Sequence, residues 1–306
     1  MLHYVDLHFR AVKEQTETLL PPFLGITLRG AFGMQLKRIV CQVRHGQCMQ
    51  CLLRPACPYP SIFEGLPPDD RAMLRKYPAI PQPFLLLVPA PGHCRQEDAH
   101  ISWGLRLFGP AARYWPYVVH TFDVAGQQGI GRGRCRFRLE RVTDGDDGPD
   151  LLTAAAPQPR RREVPHCTRV LPERCVLRWS FQTPLRLSAE GRLRLDGLNP
   201  LDLLKSGRRR LAILSYFYGL ADSTAVEPEA HLDASEFRII ESDLHVWRSS
   251  RFSNRQRRRM DLDGLIGTIT IEGPWGRAGA WLAAAPTIHL GKATSFGFGR
   301  VSWELV

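Results

Sequence analysis

The stretch Ile288-His-Leu-Gly-Lys-Ala-Thr-Ser-Phe-Gly-Phe-Gly-Arg-Val301 decides how the rest of this sequence is interpreted. Its glycines let the backbone turn sharply and come close to a partner. A helical-looking segment precedes it and strand-like residues follow. Nucleotide-binding glycine loops have the reverse order and a glycine spacing that is absent here. We expect the cations and hydroxyls of the loop to point outward, towards phosphates: Lys292, Thr294, Ser295 and Arg300. A glycine-rich turn without a ligand is the alternative.

The elements before this loop have a recognisable order. In the second half of the chain, apolar alternation and capping residues predict strand, helix, strand, strand and helix, with a final strand after the glycine loop. Asn199 and Pro200 suit the N-cap and first turn of the first helix, and Gly219 suits its end. The predicted segments are 175–182, 200–218, 237–247, 262–271, 276–285 and 298–306.

The first half of the chain repeats this order. Its predicted segments are 2–12, 24–40, 83–89, 100–108, 110–126 and, over 126–139, a second glycine and arginine loop that leads into a strand. Two successive βαββαβ units are therefore expected, in an α+β protein. We predict an N-terminal domain over residues 1–143, a linker over 144–173, which is rich in Asp, Gly and Pro, and a C-terminal domain over 174–306.

The charge balance is more informative than the overall composition. The 306 residues include 41 Lys and Arg against 30 Asp and Glu, which gives a net charge of +11 and a pI of about 9.6. This balance favours a polyanion or an anionic surface as the partner. No apolar run approaches the roughly 18 residues that span a bilayer, and the first residues lack the layout of a signal peptide. We therefore expect a cytoplasmic protein.

Four of the eight cysteines fall between residues 41 and 57. In a reducing compartment, such a cluster is more typical of metal ligands than of disulfides. The thiolates of Cys41, Cys48, Cys51 and Cys57 have the number needed to close a tetrahedral zinc site. That zinc would be structural, because a filled shell of four ligands leaves no open position. An iron-sulfur cluster and unligated thiols are the two alternatives.

Two basic segments predict contact with nucleic acid. Residues 247–260, between the two middle strands of the second half, combine arginines with Trp247 and Phe252 and contain no acidic residue. Such a segment supplies guanidinium forks for phosphates and faces for base stacking. Its arginines are Arg248, Arg251, Arg255, Arg257, Arg258 and Arg259. On the first helix, Arg29 and Lys37 form a second basic edge, for which an ordinary solvated face is the alternative.

Taken together, these segments resemble the CRISPR precursor-RNA processing endoribonucleases of the RAMP superfamily, in a branch with a four-cysteine cluster. The resemblance spans nearly the whole chain. It rests on Leu24-Gly-Ile-Thr-Leu-Arg-Gly-Ala-Phe32, the cysteine cluster with Pro58 and Tyr59, Arg251-Phe-Ser-Asn-Arg-Gln256, Leu262-Asp-Gly-Leu-Ile-Gly267 and the terminal glycine loop. It implies tandem ferredoxin-like domains, with a cysteine-rich insertion after the first helix. It also implies binding of a CRISPR repeat, often a stem-loop, and a single cut at its 3′ side.

The resemblance further implies RNA cleavage that needs no metal ion. The 2′-hydroxyl attacks the neighbouring phosphate and leaves a 2′,3′-cyclic phosphate and a 5′-hydroxyl. Such a step needs a base, an acid and a cation, and histidine transfers protons near neutral pH. His45 stands where relatives often carry a histidine, with a surface position or zinc ligation as alternatives. His245, beside the basic segment, is the second candidate, with an ordinary strand histidine as the alternative.

The family motifs also suggest which residues contact RNA. Arg251, Ser253 and Gln256 match a motif expected close to the cut, and Lys292 and Ser295 match the glycine loop that would hold backbone phosphates. Two other functions stay open at this point. One is a noncatalytic RNA-binding subunit of the same superfamily inside a CRISPR effector complex. The other is a zinc-stabilised DNA-binding regulator, although no helix-turn-helix or finger spacing supports it.

Overall fold

A computed structural model describes residues 1–15, 18, 20–43, 47–93, 98–166, 171–189, 191–220, 232–253, 258–279 and 281–306. The chain divides into two compact units. Unit 1 comprises Met1–Glu163 and Ile213–Ser223, and unit 2 comprises Val164–Ala212 and Thr224–Val306. Among the described residues, no helix is both long and apolar enough to cross a membrane.

In the part of unit 1 that precedes residue 164, the described residues form an antiparallel sheet and two long helices. Its elements are β1 (His3–Lys13), α1 (Leu24–Val40), β2 (Phe84–Leu87), β3 (His100–Phe108), α2 (Trp115–Gln128), β4 (Phe137–Asp144) and β5 (Arg162–Glu163). The strand order is β2-β3-β1-β4, and the short β5 also pairs with β1. Short helical turns at Cys48–Gln50, Pro60–Glu64 and Gly109–Tyr114 connect these elements.

The alternation of β1 explains how this sheet buries one face. Val5, Leu7, Phe9 and Ala11 are buried, as the period of two in the sequence predicts. Phe9 stacks on Trp103 of β3, with ring centroids 5.1 Å apart. Phenylalanines from α1, α2 and β2 complete an aromatic core beside these two rings.

Unit 2 repeats the arrangement with different side chains. Its elements are β6 (Cys175–Leu185), β7 (Ser188–Ala189), β8 (Arg192–Leu193), α3 (Pro200–Tyr218), β9 (Arg238–Trp247), β10 (Ser250–Ser253), β11 (Arg258–Asp261), β12 (Gly264–Gly273), α4 (Trp281–Ile288) and β13 (Val301–Leu305). The main sheet has the order β13-β6-β12-β9, while β10 with β11 and β7 with β8 form separate two-stranded ribbons. The core centres on Trp179, whose ring stacks on that of Trp281 with centroids 5.9 Å apart.

Both units have the ferredoxin-like topology, so the predicted α+β fold with tandem βαββαβ units is confirmed. In each main sheet the first strand lies between the third and fourth, and the second strand pairs with the third. Helix α3 begins at Pro200, and Asn199 Oδ1 accepts a hydrogen bond of 2.9 Å from the Leu201 amide. This is the predicted N-cap.

Helix α3 does not belong to one unit alone, since its residues from Ile213 onward are part of unit 1. There Leu214 is buried, and the Tyr218 hydroxyl donates a hydrogen bond of 2.5 Å to the Pro81 carbonyl. The Leu220 amide donates to the Met1 carbonyl at 3.1 Å. Unit 1 is therefore completed by a segment that lies far along the chain.

The first part of the predicted linker, residues 144–163, belongs to unit 1. Strand β5 pairs with His3 and Tyr4. The buried Asp144 carboxylate accepts a hydrogen bond of 2.6 Å from Arg162 and one of 2.8 Å from the Arg160 amide. The loop composition that suggested a linker thus coincides with specific side-chain contacts.

Candidate nucleic-acid interface

The glycine loop of unit 2 comprises residues 289–300 between α4 and β13. Its backbone is held by hydrogen bonds to the end of β6: the Gly299 amide donates to the Pro184 carbonyl at 3.0 Å, and the Lys292 amide donates to the Arg186 carbonyl at 2.9 Å. The buried hydroxyl of Thr183 adds two contacts. It donates to the Gly297 carbonyl at 2.7 Å and accepts from the Arg300 amide at 2.9 Å. The loop is thereby fixed along its whole length.

Glycine is required in this loop because backbone lies against backbone. Gly299 has φ +70°, and a Cβ at this position would lie 1.8 Å from the Leu290 carbonyl oxygen. Gly291 has φ +76°, and its Cβ would lie 2.5 Å from the Arg186 carbonyl oxygen. Any side chain would have to displace these neighbours. The glycines at 291 and 299 therefore reflect close backbone packing.

The orientation predicted for the side chains of this loop is only partly correct. Lys292 and Arg300 are exposed as expected. The hydroxyl residues Thr294 and Ser295 are buried, with 7% and 8% exposure. They lie in a short 3-10 turn, Thr294–Phe296, which ends in a buried phenylalanine. Burial of that ring carries the preceding hydroxyl residues inward, so the loop offers solvent two cations rather than four polar groups.

The basic segment of unit 2 is a β-ribbon between β9 and β12. Strand β10 pairs antiparallel with β11, from Ser250 opposite Asp261 to Ser253 opposite Arg258. The backbones of Arg251, Ser253, Arg258 and Arg259 therefore lie in this ribbon. Arg255, Gln256 and Arg257, which were predicted to contact RNA, lie outside the described residues. We refer to residues 248–261 as the basic ribbon.

The base of the basic ribbon and the glycine loop meet within unit 2. The ring of Trp247, at the end of β9, packs edge-on against Phe298 of the glycine loop with centroids 6.0 Å apart. Arg186 makes a second link, since its guanidinium donates a hydrogen bond to the Asp263 carbonyl beside the ribbon. The Arg186 carbonyl in turn accepts a hydrogen bond from the Lys292 amide. Two structural connections therefore bring the two predicted RNA-contacting segments together.

Arg186 was not among the residues predicted from the sequence. It follows directly after β6, and nothing in its local sequence distinguishes it from other arginines. Burial lowers the pKa of its guanidinium from the ordinary value, and the nearby carboxylates of Asp263 and Asp261 oppose this shift. Burial of a charged donor costs free energy, and the hydrogen bond to the Asp263 carbonyl and the two carboxylates offset part of that cost.

Of the two candidate catalytic histidines, the structure describes one. His245 is exposed on β9, opposite Ile266 of β12. It is two residues before Trp247, so it lies close to the junction of loop and ribbon. Arg248 begins the ribbon and lies 3.6 Å from the carboxylate of Asp263. His45 lies outside the described residues.

The basic edge predicted on α1 faces aromatic rings of unit 1. The guanidinium of Arg29 lies 4.7 Å from the centre of the Phe63 ring, and the ammonium of Lys37 lies 5.4 Å from that of Tyr59. These are cation-π distances. Each cation thus has a structural contact with the segment that follows the cysteines, in addition to the RNA contact predicted for it.

The four clustered cysteines line one cavity in unit 1, with a volume of about 200 Å³. Burial raises the pKa values of the Cys48 and Cys57 thiols, and further increases come from Glu64 next to Cys48 and from the neighbouring thiols of Cys41 and Cys51 next to Cys57. The donor set suits a thiophilic metal. Within the described residues, however, no group of three or more His, Cys, Asp or Glu side chains lies close enough to hold an ion.

Comparison with known protein families matches both halves of the chain. A family model named AF_1859_N, described as an N-terminal domain, matches residues 2–166. A second, described as CRISPR-associated endoribonuclease Cas6, matches residues 179–301. An uncharacterised protein of Archaeoglobus fulgidus is 24% identical over 132 residues, which is 43% of this chain and 44% of that relative. This chain thus aligns with less than half the length of that relative.

Solved structures match the fold over almost the whole chain. A Cas6 product complex superposes with a TM-score of 0.56 at 16% identity and covers 98% of this chain and 100% of its own. Thermus thermophilus Cas6 gives 0.52 at 16% identity, with 99% of each chain covered. A partial Cas6-RT-Cas1–Cas2 complex gives 0.52 at 14% identity and covers 100% of this chain and 46% of that chain. At these identities the likeness concerns the fold.

Proposed function

We propose, on the premise that this chain belongs to the AF_1859_N family and carries the Cas6 domain of CRISPR-associated endoribonucleases, that it binds CRISPR repeat RNA and cleaves precursor transcripts into guide RNAs. The RNA would be a stem-loop cut at its 3′ side. The product would end in a 2′,3′-cyclic phosphate, and the reaction would need no metal ion.

The observation that carries this proposal is the junction within unit 2. Lys292 and Arg300 are exposed on a loop whose backbone is fixed by β6, and the basic ribbon begins beside the same loop. A fixed backbone presents its cations without a further loss of backbone entropy at the moment of binding. An arginine-rich ribbon next to it supplies bidentate phosphate contacts. Together these features suit a folded polyanion.

The chemistry requires only side chains of the kinds found there. A base removes the proton of the 2′-hydroxyl, whose oxygen attacks the adjacent phosphorus while the bond from phosphorus to the 5′-oxygen breaks. An acid gives that oxygen a proton, so the products are a cyclic phosphate and a 5′-hydroxyl. Cations stabilise the charge that develops on the phosphate oxygens. We assign this last role to Lys292 and the arginines of the ribbon.

The product distinguishes an enzyme from a binding subunit. Protein is incubated with the CRISPR repeat RNA of its own genome in EDTA, and the fragments are analysed by mass spectrometry. We expect one discrete cut and a fragment that carries a cyclic phosphate. A matched RNA with a 2′-deoxy sugar at the cut should bind equally well and stay intact. Tight binding with an intact natural repeat would instead favour a noncatalytic subunit of an effector complex.

The proton-transfer roles are tested separately from binding. His245→Ala and His45→Ala are compared with His93→Ala, which changes another exposed histidine. Loss of a general acid or base lowers the single-turnover rate by about 10²- to 10⁴-fold, while the affinity for the uncleavable RNA should stay unchanged. If both variants cut at the rate of the control, neither histidine transfers a proton in the reaction.

We also propose that the cysteine cavity of unit 1 holds a structural zinc ion. The support is that four thiols line one cavity, since soft thiolates are preferred zinc ligands. Binding would have to draw these thiols closer together than they lie here. Elemental analysis should find one zinc per chain, lost in a Cys48→Ser, Cys51→Ser variant and kept in Cys175→Ser. Iron with visible absorbance would instead identify an iron-sulfur cluster.

A further inference from the structure

Unit 1 carries its own glycine and arginine turn, in the same position of the βαββαβ unit as the glycine loop of unit 2. It lies between α2 and β4, in the stretch Gly129-Ile-Gly-Arg-Gly-Arg-Cys-Arg-Phe-Arg138. Four arginines alternate with other residues, and the stretch contains no acidic residue. The motifs described above gave this turn no role. We refer to these residues as the arginine turn.

Two buried residues within the arginine turn anchor its backbone. Ile130 and Cys135 are buried, with 3% and 0% exposure, and form a two-way backbone bridge with both hydrogen bonds at 2.9 Å. Gly131 rests on α1, because a Cβ at this position would lie 3.3 Å from the Thr27 methyl. The four residues between the anchors must therefore project from the surface as a tight turn.

Side chains of α1 also fix the end of α2, immediately before this turn. Gln128 Oε1 accepts a hydrogen bond of 2.6 Å from Gln35 Nε2 and one of 3.1 Å from Arg38 Nη1. Gly129, which follows, has φ +81° and packs against the Arg134 carbonyl. A Cβ on Gly129 would lie 2.5 Å from that carbonyl oxygen. The turn is thus held from both helices, and its position does not depend on a ligand.

The arginines of the turn are exposed and carry uncompensated charge. Arg132, Arg134, Arg136 and Arg138 are all exposed, and no ion pair joins any of them to another residue within the described part of the chain. The nearest acidic residue on β4, Glu140, accepts a hydrogen bond of 2.9 Å from Arg10 and lies 3.5 Å from His100. Across the sheet lies Glu14, whose amide donates to the Arg136 carbonyl at 3.1 Å.

From these observations we infer that the arginine turn is a second RNA-binding surface, which holds backbone phosphates of the transcript. This inference rests on the proposed function, since it supposes that the chain binds RNA. Arg136 and Arg138 are two residues apart on an extended backbone, or about 6.6 Å. That spacing is comparable with the separation of successive phosphates along an RNA strand. Guanidinium groups pair with phosphates bidentately and without base specificity.

The test compares two sets of four charge removals. In the turn variant, Arg132, Arg134, Arg136 and Arg138 are changed to Gln. In the control variant, four exposed cations elsewhere in unit 1 are changed to Gln: Arg75, Lys76, Arg160 and Arg161. Binding of the uncleavable repeat RNA is measured over a series of salt concentrations, and circular dichroism verifies that each variant is folded.

We expect the turn variant to bind at least about tenfold more weakly, and its salt dependence to fall by about 0.7 to 0.9 per lost phosphate contact. The control variant should bind nearly as well as the natural protein. If the two variants behave alike, or if the turn variant keeps its affinity and salt slope, the turn is not an RNA-binding surface. An acidic protein would then be the partner that its charge suits.

The outcome also separates this inference from the proposed function. If the natural protein does not bind the repeat RNA, the proposed function fails and the inference fails with it. If the natural protein binds RNA and only the turn proves dispensable, the inference alone is wrong. Should the fourfold variant not fold, Arg132→Gln and Arg134→Gln are measured singly. Each should reduce the salt slope by somewhat less than one.

Discussion

The glycine loop of unit 2 and the arginine turn of unit 1 occupy the same position between the second helix and the last strand of their units, yet they differ in how much of the turn is exposed. In unit 2 the glycines allow backbone to contact backbone, and the loop is largely buried. In unit 1, Gly129 also lies against backbone, since a Cβ there would be 2.5 Å from the Arg134 carbonyl oxygen, but residues 131–134 at the tip of the turn are all exposed. A glycine-rich sequence at this position therefore specifies a turn, and its neighbours decide whether the turn serves packing or binding.

This difference suggests a division of roles. The unit 2 loop offers a fixed backbone and few charges, whereas the arginine turn offers four cations on a small projecting surface. An added methyl group should therefore be more disruptive at Gly299 of unit 2 than at Gly131 at the tip of the arginine turn. Changes that remove charge should weaken RNA binding more in the arginine turn of unit 1 than in the glycine loop of unit 2.

The largest effect on this comparison is expected when a methyl group is added at the most crowded glycine of the unit 2 loop, Gly299. Gly299→Ala puts a Cβ 1.8 Å from the Leu290 carbonyl oxygen at a positive φ. Backbone strain and displacement of this kind should lower the free energy of unfolding by about 3 kcal/mol. Denaturant unfolding measures the loss. A loss below that of an ordinary surface substitution would mean that the loop is not held by its backbone packing.

The next largest effect is expected at the hydroxyl that ties the loop to β6. Thr183→Val keeps the shape of this buried side chain but removes its hydrogen bonds with the Gly297 carbonyl and the Arg300 amide. Leaving those groups unpaired should lower the free energy of unfolding by about 2 kcal/mol. Thr183→Ser, which keeps the hydroxyl, is the control and should recover most of the loss in the same titration.

A smaller effect is expected at the junction of loop and ribbon. Arg186→Gln removes a partly buried charged donor to the Asp263 carbonyl. The free energy of unfolding should fall by about 1 to 2 kcal/mol, and RNA binding should weaken because the ribbon loses a connection to the loop. Arg192→Gln, at an exposed arginine of unit 2, is the matched control. Equal RNA affinities for the two variants would contradict a positioning role for Arg186.

The smallest effect is predicted where the same substitution is made in unit 1. Gly131 has a positive φ, but the atom nearest to a Cβ at this position would be the Thr27 methyl, 3.3 Å away. We expect a loss of about 1 kcal/mol in the free energy of unfolding and little change in RNA binding, because the arginines stay exposed. A loss as large as that for Gly299→Ala would remove the distinction between the two turns.

The sequence predicted the order of elements well because its signals are local. Apolar alternation marks β1, and Asn199 with Pro200 marks the start of α3, since both act within a few residues. The burial of Ser295 and the role of Arg186 depend on contacts with residues distant in sequence. Ser295 follows a neighbouring phenylalanine into the interior, and Arg186 matters only because loop and ribbon meet at β6. Local sequence patterns carry no information about contacts between residues that are distant in sequence.

The assignment of Ile213–Ser223 to unit 1 has a practical consequence for dissecting this protein. A gene cut between codons 163 and 164 would encode a first fragment that lacks the partners of Pro81 and Met1. That fragment would also lack the buried Leu214, which belongs to unit 1, and a unit without part of its interior would be prone to aggregate. Fragment complementation or a peptide supplied in trans is therefore a better route to the separate halves than simple truncation.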